Sequence, residues 1–259
     1  MLRKKRISLV IPCKNEAGSL RKLLPRIPSF IDEVIVVDNN SSDNTVITAR
    51  YFDAIVVRET RTDARGIGYG YAHQRGIKKA SGDIVVTMDG DGTYPLDSIK
   101  PVITQLVKQN LDFISCGRYP LLNKRAVSAV RQLGVYILNR EVDILFGKPI
   151  SDILSGMWVA RRSTLTSLKL SEGGWNLSPE IKLKALTNRH IKFAEYHINH
   201  HYRSGGESKQ SIWITGIDHL VFIAYFRLRQ GLGQLINYLK RLAQLRSVSR
   251  PENQEWAAE

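Results

Sequence analysis

Five short runs rich in β-branched residues, separated by helix-like stretches, dominate the first half of this chain. Residues 7–11 read as a buried strand stopped by Pro12, and residues 33–37, 54–57, 83–88 and 112–116 repeat the signal. Residues 19–26, 43–51, 65–79 and 95–109 between them carry helical patterns. Strands alternating with helices build βαβ units on a parallel sheet. Ligands of such sheets bind beyond the carboxyl ends of the strands. That directs attention to three polar clusters just after strands: residues 12–16, 38–43 and 89–94.

Composition narrows the partner. The chain has 259 residues, enough for one core without a disulfide or metal staple. Apolar residues are 43% and charged residues 24%, which excludes a disordered or low-complexity chain. Cys13 and Cys116 are the two cysteines, too few for a disulfide framework, so a reducing compartment is expected. Thirty-eight Lys and Arg against 24 Asp and Glu leave a net charge of +14. Such an excess implies an anionic partner: nucleic acid, nucleotide phosphates or an anionic membrane surface. Residues 212–226 are the most apolar stretch, but Asp218 and His219 interrupt them and they fall short of the roughly 20 residues of a membrane span. The N-terminal ISLVIP run is too short for a signal peptide and reads as the first strand.

The second half is less regular, with helices expected at 123–146 and 179–187 and strands at 157–160 and 191–198. No acidic residue occurs between Leu220 and Pro251. Leu228, Leu232, Leu235, Leu239 and Leu242 recur at spacings of four and three, an apolar seam flanked or opposed by Arg227, Arg229, Lys240 and Arg241. Such a basic amphipathic helix can pair in a homo-oligomer, lie in a membrane headgroup region, or pack back on its own domain.

The strongest local signal is Asp89-Gly90-Asp91 at the end of a buried strand. Two carboxylates one residue apart on a glycine turn can face one Mg²⁺ or Mn²⁺, which favour oxygen ligands and phosphate. An ordinary Asp-Gly turn is the bland alternative. GIGYGY at residues 66–71 lacks the third glycine of a dinucleotide fingerprint. His197 and His201 have ligand-like spacing, yet on a strand and its following turn that spacing does not converge on a metal. Cys13 beside Lys14 reads as a small residue at a crowded strand end rather than a reactive thiol. Trp175 can either roof a pocket or anchor a loop.

The ordered set SLVIPCKNE, IVVDNNSSDNT, GYGYAHQRGIKKASGDIVVTMDGDGTYP, CGRY, ISDILSGMWVARR and YRSGGESKQ resembles the family 2 glycosyltransferases of the GT-A fold. The resemblance is to the branch that includes dolichyl-phosphate mannosyltransferase and related polyprenyl-phosphate glycosyltransferases, and it covers about four-fifths of the chain. It implies an α/β, Rossmann-like, mostly parallel sheet in residues 1–210, with a basic helical extension over 211–259. It implies that Pro12, Glu16, Asp38 and Asn39 line the nucleoside pocket, and that Asp89, Gly90 and Asp91 bring Mg²⁺ or Mn²⁺ to the donor diphosphate. Arg118 would face the acceptor phosphate; on spacing alone Arg131, ahead of Arg125, is the candidate for a second acceptor-phosphate arginine. Arg203, Ser208 and Lys209 would clamp the donor phosphates.

Departures from the family pattern are Asn39 for a second aspartate, Tyr69 for a lysine and Thr93 for a glutamine. A lipid-phosphate acceptor is already anionic and needs arginines rather than a base. A saccharide or glycolipid hydroxyl would need a carboxylate base, for which Glu180 is the candidate. Glu180 lacks the Glu-Asp pairing usual in such relatives, which favours the lipid phosphate. The expectation is metal-dependent, inverting transfer of a hexose from a nucleotide sugar to a polyprenyl phosphate, by a cytoplasmic enzyme peripheral to the inner membrane face. A non-catalytic nucleotide or nucleic-acid binding module is the rival from another class; it is disfavoured because the basic residues are not interleaved with aromatics on one sheet, so no nucleic-acid partner is expected.

Overall fold

The computed structural model describes residues 5–123, 127–203 and 211–248, with side chains in the last helix described as far as residue 232. Seven strands form one sheet: β1 (Ile7–Cys13), β2 (Glu33–Asp38), β3 (Ile55–Arg58), β4 (Ile84–Thr87), β5 (Phe113–Gly117), β6 (Trp158–Arg161) and β7 (Phe193–His197). Their order across the sheet is β3-β2-β1-β4-β6-β5-β7. All neighbours are parallel except β6, which runs antiparallel to both β4 and β5. The expected mixed, mostly parallel sheet is therefore present. One consequence positions everything that follows. The carboxyl ends of β1, β2, β4, β5 and β7 share a single edge with the start of β6.

Alternation along β1 sorts the two faces. Ile7, Leu9 and Ile11 join one buried cluster, together with Leu20 of α1 (Ala17–Leu23), Ala49 of α2 (Thr45–Tyr51) and Ile103 of α4 (Ile99–Lys108). Val10 points the other way, into a cluster with Ala72 and Ile77 of α3 (Tyr69–Lys79), Leu165 of α6 (Arg162–Ser167) and Ile181 of α7 (Leu177–Thr187). A third cluster joins Leu138 and Val142 of α5 (Ala129–Phe146) to Leu183 and to Ile223 of α8 (Ile212–Val248).

Some boundaries differ from expectation. Pairing of β1 with β4 ends at Val10, before Pro12, but pairing with β2 continues to Cys13 opposite Asp38. Helix α3 begins at Tyr69 rather than at residue 65, because the Asp63 carboxylate accepts the N–H groups of Arg65 and Ile67 and Gly66 sits at a φ of +75°. Helix α6 was not expected. Part of α8 packs on its own domain through Thr215, His219 and Ile223, whereas Leu228 and Leu232 of the leucine seam are 66% and 59% exposed. The side chains of Leu235, Leu239 and Leu242 lie outside the described residues. Among the described residues no helix is long and apolar enough to cross a membrane.

Two histidines are locked into the interior as neutral rings. Burial lowers the pKa of His73 to about 3 and that of His219 to about 4. Both values lie below the 6.5 of a free imidazole, so the unfolded chain binds protons first as pH falls. Stability is expected to drop between pH 6.5 and about 4, by roughly 1.4 kcal/mol per pH unit for each histidine. Urea unfolding at pH 7.5 and 5.0 checks this, and equal midpoints would contradict it.

Candidate active site

A cavity of about 750 Å³ opens at the shared strand edge. Its wall carries Pro12 and Glu16 from the end of β1, Asn39 after β2, and Asp89, Gly90 and Asp91 after β4. Arg118 after β5, Arg131 on α5 and Arg203 complete the polar part. Residues separated by nearly 200 positions thus converge, because parallel strands deliver their carboxyl ends to one place. Asp38 stands beside this wall; its carboxylate accepts the Ser41 N–H and closes the turn after β2. Ser208, Lys209 and Arg125 lie outside the described residues.

The acidic pair is held rigidly. Asp91 Oδ1 accepts the backbone N–H and the hydroxyl of Thr93, at 3.0 and 2.7 Å. Its Oδ2 faces Arg203 Nη2 at 2.8 Å, and a second guanidinium nitrogen of Arg203 lies 3.6 Å from Glu16. Thr93 therefore orients Asp91. Asp89 Oδ1 accepts the Tyr69 hydroxyl at 3.1 Å, so the tyrosine in place of the family lysine also serves the acidic pair. Enclosure, followed by repulsion from Asp91, raises the Asp89 pKa to about 7. A Cβ on Gly156 would come within 2.7 Å of the Tyr69 hydroxyl and 3.0 Å of Asp89 Oδ2, so this glycine admits no side chain without displacing the acidic pair. Gly90 packs over Cys13, whose sulfur a Cβ there would meet at 2.6 Å. Cys13 is a small filler at a crowded strand end, as expected.

The basic side is equally built. Arg118 Nε and Nη2 grip the two oxygens of Asp152 at 2.6 and 3.0 Å, and its backbone N–H adds a third bond to Asp152 at 3.1 Å. Burial opposes the Arg118 charge, yet Asp152 holds the guanidinium pKa above its ordinary value. Burial, then the nearby charges of Arg203 and Arg118, lower that of Arg131. Three arginines are thus crowded on one wall, an arrangement that invites an anion.

The same cavity has an apolar part. Val130, Val135 and Leu138 of α5 and Ile212, Thr215 and Gly216 of α8 also line it. Trp175 lies on the wall against Tyr69, with ring centroids 4.7 Å apart.

Glu180 is not on this wall. Its carboxylate accepts the Ser171 and Glu172 N–H groups and pairs with Lys184 at 2.7 Å, so it closes the loop before α7 and does not point at a substrate. This corrects its candidacy as a base. His197 bonds the Pro120 carbonyl, and His201 donates its backbone N–H to Thr93. Sequence reasoning assigned no role to Asp152, Tyr94 or His200, although ISDILSG contained the first of them.

The mostly parallel sheet thus gathers an acidic pair and an arginine wall at its carboxyl edge. The chain belongs to glycosyl transferase family 2, whose model matches residues 8–168. An uncharacterised glycosyltransferase of Mycobacterium tuberculosis is 30% identical over 212 residues, covering 81% of this chain and 92% of that one. The dolichol-phosphate mannosyltransferase of Pyrococcus furiosus is 28% identical over 221 residues, covering 79% of this chain and 59% of that longer one. Among solved structures, glucosyl-3-phosphoglycerate synthase from Mycobacterium tuberculosis, in complex with Mn²⁺, UDP and phosphoglyceric acid, superposes with a TM-score of 0.66 at 21% identity. That match covers 87% of this chain and 79% of the other.

Proposed function

We propose that the protein transfers a hexose, with inversion and with Mg²⁺ or Mn²⁺, from a UDP- or GDP-linked donor to a polyprenyl phosphate. The observation that carries this reading is the lining of the cavity. One continuous wall joins the acidic pair and Arg118 and Arg131 to apolar side chains of α5 and α8. Glu16, Asp89 and Asp91 are the carboxylates on its described wall. No further acid is placed there to deprotonate a hydroxyl, while a phosphate acceptor needs none.

The residues fit a divalent cation. Asp91 already attracts the cationic Arg203 at 2.8 Å, and Asp89 faces the same space. Among the described residues no cluster of three or more His, Cys, Asp or Glu is placed to hold an ion. Asp89 and Asp91 would hold it together with diphosphate oxygens and water. Once bound, the cation supplies charge neutralisation for the departing nucleoside diphosphate. The remaining work belongs to the chain. Pro12, Glu16 and Asn39 hold the nucleoside, with Asp38 shaping the turn beside them, and Arg203 is available to the donor phosphates. Arg118 and Arg131 aim a phosphate oxygen at the anomeric carbon, opposite the leaving group.

Leu133, Tyr136 and Ile137 of α5 and Trp213, Ile217, Val221 and Leu228 of α8 are exposed on the helices that flank the cleft. With Arg227 and Arg229 nearby, this face suits peripheral docking on an anionic bilayer. Flotation with vesicles containing phosphatidylglycerol is the check, and equal recovery with purely zwitterionic vesicles would argue against an electrostatic contribution.

The donor reading is tested by thermal shift with UDP, GDP and their sugar conjugates, with and without Mn²⁺. A ligand at 100 times its Kd adds about 2.7 kcal/mol. A metal-dependent shift for one nucleotide supports the reading, and silence from every nucleotide would remove it. Cation affinity should also follow Asp89. Because burial and the neighbouring Asp91 raise the Asp89 pKa, Mn²⁺ must compete with a proton there as the pH falls. Binding measured by electron paramagnetic resonance is expected to be about ten-fold weaker at pH 6 than at pH 8.

A further inference from the structure

Lys182 is fully buried in α7, a helix enclosed on almost every side. Its ammonium donates to the main-chain carbonyls of Asp152, Ile153 and Ser155 at 3.0, 2.9 and 2.6 Å. Three acceptors match the three N–H groups of the charged form; burial works against that charge and lowers the Lys182 pKa to about 7, with Asp152 opposing the shift. The carbonyls belong to the loop that precedes β6, and Asp152 in that loop is the residue that grips Arg118 from side chain and backbone.

We infer that Lys182 is a positioning residue for Arg118: it pins the 152–155 loop and keeps the buried Arg118–Asp152 pair cationic toward the cavity. The electrostatic half follows from counting signs. An arginine forked onto a buried carboxylate is neutralised and would be a poor receptor for an anion. Lys182 behind Asp152 restores an excess positive charge. Asp152 responds to both cations: burial opposes its ionisation, yet Arg118 first and Lys182 after it hold its pKa below the ordinary value. The structural half follows from the bonds. Without Lys182, three buried carbonyls lose their partner and the loop that aims Asp152 loses its anchor.

This inference rests on the reading of Arg118 as the acceptor-phosphate arginine, and the experiment separates the two. Lys182→Met removes charge and donors together. Lys182→Gln keeps two N–H donors without the charge and serves where the methionine variant fails to fold. Amide hydrogen exchange at residue 118 and residues 152–156 is expected to speed up at least ten-fold in the variants, with β1 and β4 unchanged. Calorimetry with farnesyl phosphate should show affinity falling about ten-fold, while binding of Mn²⁺ with UDP or GDP stays within two-fold.

Unchanged exchange at residue 118 and in the loop of a folded variant would overturn the inference. So would equal losses of nucleotide and farnesyl phosphate binding, the mark of general damage. If the wild-type protein ignores farnesyl phosphate, the acceptor reading fails, and hydrogen exchange still decides whether Lys182 positions Arg118.

Discussion

Asp91→Asn should leave the fold standing and remove the activity. The amide oxygen can still accept the Thr93 N–H and hydroxyl that orient residue 91. On the other side, an NH₂ group would face Arg203, where the native carboxylate Oδ2 lies 2.8 Å from the guanidinium. One of the two charges proposed to attract the cation is gone. We expect kcat/KM to fall by about 10³-fold or more, equivalent to about 4 kcal/mol of transition-state stabilisation. Chemical denaturation should change by about 1–2 kcal/mol, since Asp91 is buried but keeps its turn bonds and loses only its charge on the part-exposed Arg203. Steady-state kinetics beside a urea titration separates the two effects. Wild-type-like turnover by Asp91→Asn would remove this carboxylate from the chemistry.

The second large effect concerns Arg118, and there stability and activity should part company. Arg118→Ala strands the Asp152 carboxylate, which is 0% exposed and loses both of its charged hydrogen bonds. Breaking a buried pair by removing one partner costs roughly 3–5 kcal/mol, a Tm fall on the order of 10 °C. Pairing Arg118→Met with Asp152→Asn removes the stranded carboxylate, leaves Lys182 on its three carbonyls, and should recover part of that loss. Activity should not return, because the guanidinium proposed to orient the acceptor is absent from both variants. Differential scanning calorimetry with turnover assays on the single and double variants provides the comparison. If the double variant regained turnover, Arg118 would be a structural cation only.

Much of this site could be read before any coordinates. The β-branched runs of the first half mark β1 to β5, since buried parallel strands are continuously apolar and Gly, Pro and Asp punctuate them. The acidic pair follows from a strand end, whereas Arg118 rests on the family resemblance carried by CGRY. What escaped has physical causes. The antiparallel insertion of β6 between β4 and β5 is a tertiary pairing that no local pattern encodes. Glu180 looks like a free acid on a helix until the loop at Ser171 and Glu172 folds back to donate to it. Lys182 sits in LSPEIKLKAL, where a lysine reads as solvated, and only the packing of α7 under the sheet reveals it as buried. The leucine seam was legible as a stripe. That its first two members face outward depended on α8 turning Thr215, His219 and Ile223 inward.

The arginine wall and the apolar lining are proposed to receive a lipid phosphate rather than a hydroxyl. The most direct measurement gives the purified protein, with Mn²⁺ and the nucleotide sugar it binds, farnesyl or undecaprenyl phosphate in one reaction and the matching dephosphorylated alcohol in another. The product is followed by mass spectrometry. Glycosyl phosphate lipid from the phosphate, with at least 100-fold less product from the alcohol, is the predicted result. Transfer to the alcohol or to a saccharide hydroxyl, with the phosphate inert, would contradict it.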